Sequence, residues 1–197
     1  MIKILALDQA RNGGWAVFDY ESKKLAAFGF WSFPTNRYSY AQAIVQIESF
    51  VENLIKAYDI SAVFIEDIQV RVNIQSFKKL AQLQGVLVNL FEKANISYEY
   101  VAPARWQSYC GAEILKEKAE KSENTEVYGK KRSKIMSVRF VKEKYNIETD
   151  NDNLADACCI GTWAVNQCEA RTDDEGKVLI IKADKSANKS KRKKNKG

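Results

Sequence analysis

The chain has 197 residues, 46% of them hydrophobic, enough for one globular domain with a sizeable core and at most an added tail. It carries 31 Lys and Arg against 25 Asp and Glu, a net charge of +6, and it contains no histidine. The missing imidazole excludes Ser–His–Asp and Cys–His catalysis, His-ligated metal nucleases and any histidine general base, which leaves carboxylates, lysines, tyrosines or a bound metal to do chemistry.

The positive charge is unevenly placed. Residues 182–197 hold eight Lys or Arg and one Asp, so this segment carries +7 and the first 181 residues sum to −1. Composition therefore divides the chain into a domain over residues 1–181 and a basic tail over 182–197, which is rich in Ser and Lys and is expected to be disordered. Such a tail predicts a polyanionic partner, because each Lys or Arg set against a phosphate releases a condensed counterion. The residues meant are above all Lys191, Arg192, Lys193 and Lys194; the other reading is a solvated tail that serves solubility. No run approaches the length of a membrane-spanning helix, and the apolar part of MIKILALD is too short for a signal peptide. Cys110, Cys158, Cys159 and Cys168 lack zinc-ligand spacing and read as reduced, packed thiols. Together these features predict a cytoplasmic protein without a membrane partner.

In chain order, IKILAL (2–7) is an apolar run fit for a buried strand. Asn12-Gly13-Gly14 reads as a tight turn, and WAVFDY (15–20) and LAAFGFWSF (25–33) as two more strands joined through Glu21-Ser22-Lys23-Lys24. The period then changes. Ile44, Ile47, Val51, Leu54, Ile55 and Tyr58 recur at helical spacing over Tyr40–Tyr58. A strand, Ala62–Glu66, ends in an acid, and a second helix over Gln75–Lys93 shows the stripe Phe77, Leu80, Leu83, Leu87, Leu90 and Phe91, with Gly85 as a point of close packing. Tyr98–Val101 is a strand stopped by Pro103; Glu113–Tyr128 is an exposed helix or loop; Lys130–Tyr145 and Leu154–Gln167 are helices, followed by a short strand over Val178–Ile181. The result is an α/β fold with three antiparallel strands and then parallel ones. If the first strand pairs in parallel with Ala62–Ile65, Asp8 and Glu66 emerge together at the C-terminal sheet edge, where open α/β sheets keep their sites.

The segment DNDNLADACCIGTWAV (150–165) sets Asp156 inside an apolar helix, where an ionised carboxylate is costly unless something compensates it. Asp152 lies one turn earlier on the same helical face. With Asp8 and Glu66 this makes four carboxylates and no nitrogen ligand, a donor set suited to a hard cation, Mg²⁺ or in its place Mn²⁺. Four acids can hold two such ions roughly 3.5–4 Å apart for phosphodiester hydrolysis. Taken singly, each acid has a plainer role: a turn residue at a strand end, or, for Asp152, the helix N-cap. Asn153 competes with Asp152 for the upstream helix position. Asp67 reads as facing the other side of its strand, and Asp150 as a loop acid.

The order ILALDQA…GGWAVFD, FIEDI, KKLAQLQGVL, YEYVAPARWQ and DNLADACCIG resembles the RuvC-type Holliday-junction resolvases of the ribonuclease H-like superfamily over residues 2–165. The resemblance implies a ribonuclease H-like sheet and a homodimer whose long second helix, here Gln75–Lys93, lines the interface. It implies metal-dependent cleavage of four-way DNA junctions, with Asp8, Glu66, Asp152 and Asp156 as metal ligands and no small-molecule cofactor. Members space the two helix acids by three or by four residues; this chain has Asn153 at the first position and Asp152 at the second. A basic residue ahead of the last helix assists in the family, which points to GKKRSK and to Lys131, with Lys130, Arg132 and Lys134 beside it as further DNA contacts. Bacterial members carry an aromatic just after the strand acid; here Gln69 stands in that region and the first aromatic is Phe77. The variation is similar to that of phage-borne members. Competing readings are another ribonuclease H-like nuclease cutting RNA–DNA hybrids or linear DNA, and a catalytically silent junction-binding module. An actin-like ATPase would need a second half for which the chain has no room.

Overall fold

Six residues, KILALD, form the central strand β1 (Lys3–Asp8), whose side chains from Ile4 to Leu7 are wholly buried on both faces. The computed structural model describes residues 1–69, 73–111 and 136–182. The readings made for Glu113–Tyr128, for Lys130, Lys131, Arg132 and Lys134, and for Lys191, Arg192, Lys193 and Lys194 lie outside the described residues.

β1 pairs antiparallel with β2 (Asn12–Asp19), which pairs antiparallel with the edge strand β3 (Lys24–Ser32). On its other side β1 pairs in parallel with β4 (Ala62–Glu66), and β4 with β5 (Ser97–Val101), giving the order β3-β2-β1-β4-β5. Between β3 and β4 runs α1 (Tyr40–Tyr58), started by a capping box in which Ser39 Oγ accepts from the Gln42 N–H at 3.2 Å and Gln42 Oε1 from the Ser39 N–H at 2.8 Å. Between β4 and β5 runs α2 (Ile74–Lys93), with Asn73 as its N-cap. Both helices cover one face of the sheet, where Leu5, Leu7, Val63 and Ile65 meet Ile47, Val51, Leu83, Leu87 and Phe91. Each such fully buried side chain contributes roughly 1.5–3 kcal/mol.

The opposite face, Ile4, Ala6, Phe18 and Phe64, is covered by α5 (Asp152–Gln167), with α3 (Pro103–Tyr109) and the helix α4, described over residues 136–145, beside it. After α5, β6 (Cys168–Thr172) and β7 (Val178–Lys182) form a separate hairpin. The Tyr20 hydroxyl ties it to the sheet, donating to the Cys168 carbonyl and accepting from the Ala170 N–H, each at 2.9 Å. Among the described residues no helix is long and apolar enough to cross a membrane.

Two local expectations are corrected and one, the stop at Pro103, is extended. Asn12-Gly13-Gly14 is the start of β2 and not a turn; the chain reverses through residues 9–11, and the glycines serve close approach instead of a positive φ. Pro103 does not merely stop β5 but opens α3 from its first position, where a missing N–H costs nothing. Gly85 is exposed, and among the described residues a Cβ there would meet nothing within 4 Å, so no packing between them requires it.

Candidate active site

Leu7 pairs with Ile65 in the parallel β1–β4 ladder, so the next residues, Asp8 and Glu66, leave the sheet side by side. Adjacent strands are about 4.8 Å apart, which fixes the spacing of these two backbones to roughly 5 Å. Side chains alternate along each strand, so both acids share the face of Ala6 and Phe64, the one that α5 covers. Asp8 is 8% exposed and Glu66 half-buried.

The helix acids reach the same end of the sheet through sterics. Gly14 is the partner of Asp8 in the β1–β2 ladder, and a Cβ on it would lie 1.9 Å from the backbone oxygen of Asn153. The first turn of α5 is therefore seated directly on the strand beside Asp8. Farther along, a Cβ on Gly161 would lie 2.2 Å from Phe18 Cε2, so the helix body is equally close. Capping falls to Asn151, whose side chain accepts from the Leu154 N–H at 3.0 Å. Asp152 is thus the first helical residue and not the cap, a position where the helix dipole favours a negative charge. Asp156 accepts a hydrogen bond from the Ser137 hydroxyl of α4, itself 1% exposed.

Glu66 is gripped from three sides. Its carboxylate accepts from the indole Nε1 of Trp106, a residue only 1% exposed, at 3.1 Å. Its carbonyl accepts from Gln9 Nε2 at 3.1 Å and from Gln84 Nε2 at 3.4 Å. Gln9, Trp106 and Ser137 were not singled out from sequence. Gln9 follows the strand acid directly and Trp106 stands inside the YEYVAPARWQ block, but α3 is seven residues long, too short to show a period.

A cavity of about 300 Å³ opens at this sheet end, bordered by Asp8, Gln9, Glu66, Asp67, Gln69 and Phe77 among others. Asp67 thus borders the same cavity as the two acids. Burial first, then Tyr98 and Asp67, push the Tyr100 phenol up. The cavity gathers Asp8 and Glu66 and does not include Asp152 or Asp156 in its lining. Among the described residues no three Asp, Glu or Cys side chains stand close enough together to hold a metal ion outright. Two of the acids have neutral donors: Trp106 at Glu66, and Ser137 at Asp156.

The donor chemistry still fits a hard cation. Among the described residues the groups there that could bind a cation are carboxylate, amide and hydroxyl oxygens, and the nearby thiols are unfit as soft ligands. Burial pushes the Cys158 thiol up to about 12, and burial together with Cys110 raises Cys159 well above the usual thiol range. The same shifts exclude both as nucleophiles at neutral pH.

The family profile described as crossover junction endodeoxyribonuclease RuvC matches residues 4–127. The crossover junction endodeoxyribonuclease RuvC of Sulfurovum sp. (strain NBC37-1) is 30% identical over 101 residues, 50% of this chain and 64% of that protein, so the chain spans less than two thirds of that relative's length. Among solved structures, Thermus thermophilus RuvC in complex with a Holliday junction substrate superposes with a TM-score of 0.62 at 13% identity, covering 83% of this chain and 92% of that one. The Fowlpox virus resolvase with its substrate Holliday junction DNA superposes at 0.50 and 15% identity, covering 84% and 97%. At such identities the likeness is one of fold, the ribonuclease H-like sheet with its flanking helices. With more than half of its residues inside the family match, and with the strand order and acid-bearing elements described above, this chain belongs to the RuvC family.

Proposed function

We propose that the protein is a metal-dependent endonuclease that cleaves phosphodiesters in branched DNA, resolving four-way junctions as a homodimer in the cytoplasm. The observation that carries this reading is the pairing of Asp8 and Glu66 at the ends of adjacent parallel strands, with the first turn of α5 seated on Gly14 beside them. In this reading Asp8, Glu66, Asp156 and Asp152 hold Mg²⁺, two ions per site, with Mn²⁺ able to substitute. When bound, such ions polarise the phosphodiester and acidify water toward neutral pH. The chain's own residues do the rest. Trp106 and the Gln9–Gln84 amides hold Glu66 in one orientation, Ser137 holds Asp156, and the buried setting of Asp8 fixes its carboxylate against the sheet. Lys131, with Lys130, Arg132 and Lys134, neutralises the charge that develops on the phosphate.

Residues 1–181 are the nuclease domain in this reading, and the tail at 182–197, with Lys191, Arg192, Lys193 and Lys194, adds sequence-independent phosphate contacts. The Holliday-junction complexes of the Thermus and Fowlpox proteins support a four-way junction as substrate. A homodimer through the outer face of α2 matches two sites to two strands; Ile74 is 60% exposed at the start of that helix. Sedimentation at micromolar concentration should give twice the chain mass, and a monomer would remove the dimer from the account.

The deciding experiment presents labelled four-way junction, linear duplex of the same sequence and RNA–DNA hybrid, each with Mg²⁺ and with chelator. Metal-dependent cuts near the crossover, and little cutting of the other two, are expected. Preferred cutting of hybrid or duplex would move the protein to the other nucleases of this fold, and binding without cutting would make it a junction-binding module.

A further inference from the structure

Gln9 has a feature that the packing of the site does not explain. It is 3% exposed and borders the cavity shared by Asp8, Glu66 and Asp67. Its Nε2 donates to the Glu66 carbonyl, and this bond fixes the orientation of the amide, since a carbonyl accepts only from the NH₂ end. Oε1 is consequently held on the other side, where it is buried and, among the described residues, has no hydrogen-bond partner. A buried acceptor left unpaired is disfavoured, and native proteins keep few of them without a use. The clamp on Glu66 does not supply that use, because Gln84 already donates to the same carbonyl. A side chain of similar length without the oxygen would fill the space with no unpaired acceptor.

We propose that Gln9 Oε1 is a further oxygen ligand of the site, a neutral donor to the divalent cation held by Asp8 and Glu66; this rests on the metal-dependent reading given above. Amide oxygens are ordinary ligands of hard cations. A neutral ligand suits this corner in particular: it adds a coordinating oxygen beside Asp8 and Glu66 without adding another negative charge. One side chain then does two things, tying the end of β4 through Nε2 and completing the cation's oxygen shell through Oε1.

Calorimetric titration of the full chain with Mn²⁺, in the absence of DNA, tests this through binding alone. The wild type is compared with Gln9→Met, which keeps the length and removes both amide groups, and with Gln9→Glu, which keeps an oxygen but cannot donate to the Glu66 carbonyl. Ligation predicts that Mn²⁺ binds about tenfold or more weakly to the Met variant and at least as tightly to the Glu variant as to wild type. Equal loss in both variants would reduce Gln9 to a clamp and overturn the proposal, as would no change in either. If the wild type itself binds no Mn²⁺, the metal-dependent reading falls and this inference with it, an outcome distinct from the other two. Unfolding curves in cation-free buffer show whether each variant is folded. Should the Glu variant not fold, the Gln9 ¹³Cδ resonance of the wild type decides in a Mg²⁺ titration. A shift that saturates with the cation supports ligation, and an unmoved resonance overturns it.

Discussion

The strand-borne and the helix-borne acids of this protein are held by different physics. Asp8 and Glu66 are fixed by the ladder of β1 and β4, in which Leu7 pairs with Ile65 and the strand spacing leaves no freedom. Asp152 and Asp156 belong to a helix whose distance from the sheet is set by two missing side chains, Gly14 and Gly161. To part the first pair, the centre of the sheet must come undone. To lift the second, one methyl group on Gly14 is enough. The fold thus offers a rigid pair of acids set by backbone hydrogen bonds and an adjustable pair set by shape.

Substitutions that spare the fold and those that shift the helix should therefore separate. The largest effect is expected from Asp8→Asn, which leaves shape and register intact: junction cleavage falls by about a thousandfold or more, while the unfolding midpoint in denaturant stays near that of wild type. Gly14→Val comes next. Its side chain meets the Asn153 backbone, so single-turnover cleavage should drop roughly a hundredfold and stability by about 1–3 kcal/mol. If Gly14→Val kept full activity, the close seat of α5 would have no part in catalysis. Removing the neutral donors, with Trp106→Phe at the strand half and Ser137→Ala at the helix half, should each cost about 10–100-fold in activity, as loss of a ligand's supporting hydrogen bond does elsewhere. A weaker effect of Ser137→Ala would mean that the helix half tolerates looser positioning than the strand half.

Stability should show the helix's burial in its pH dependence. Burial holds the Cys158 proton on to about 12, whereas an unfolded thiol releases it near 9. Above pH 9 the unfolded chain then binds fewer protons than the folded one, so stability is present below that pH and declines as pH rises toward 12. The slope reaches about 1.4 kcal/mol per pH unit, and urea midpoints at pH 8, 9 and 10 measure it. Burial raises the Tyr145 phenol to about 12 as well, adding to the decline above 10. Cys158→Ala should flatten the curve. Smallest of all, Gly85→Ala should stabilise the monomer by roughly 0.5–1 kcal/mol, because that glycine is mid-helix and a Cβ there would strike no described residue of its own chain; loss of the dimer in this variant would instead place Gly85 in the α2 interface. The opposite signs at Gly14 and Gly85 are the sharpest internal contrast the fold provides.

Much of the architecture could be read from periodicity. The continuous apolar runs IKILAL and AVFIE mark strands buried on both faces, and helical spacing marks α1 and α2, because tertiary packing agrees with local pattern there. Asp8 and Glu66 follow from the same logic, as acids ending apolar strands. The glycines after Asn12 read as a turn because a turn and a place of close approach favour the same residue, and only the position of α5 tells the two apart. β6, with its polar CEART, has no apolar alternation to announce it and owes its pairing to β7 and to the Tyr20 hydroxyl. Gln9, Trp106 and Ser137 escaped for a related reason: a side chain that positions another one shows its role only through distances across the fold.

Cleavage of a labelled four-way junction by wild type and by Asp156→Asn, under single-turnover conditions with Mg²⁺, tests the central claim that the strand and helix acids form one catalytic site. Paired cuts near the crossover that depend on the metal and disappear in the variant, with junction binding retained, are the predicted result. Undiminished cutting by Asp156→Asn would contradict the claim and leave catalysis to Asp8 and Glu66 without the helix.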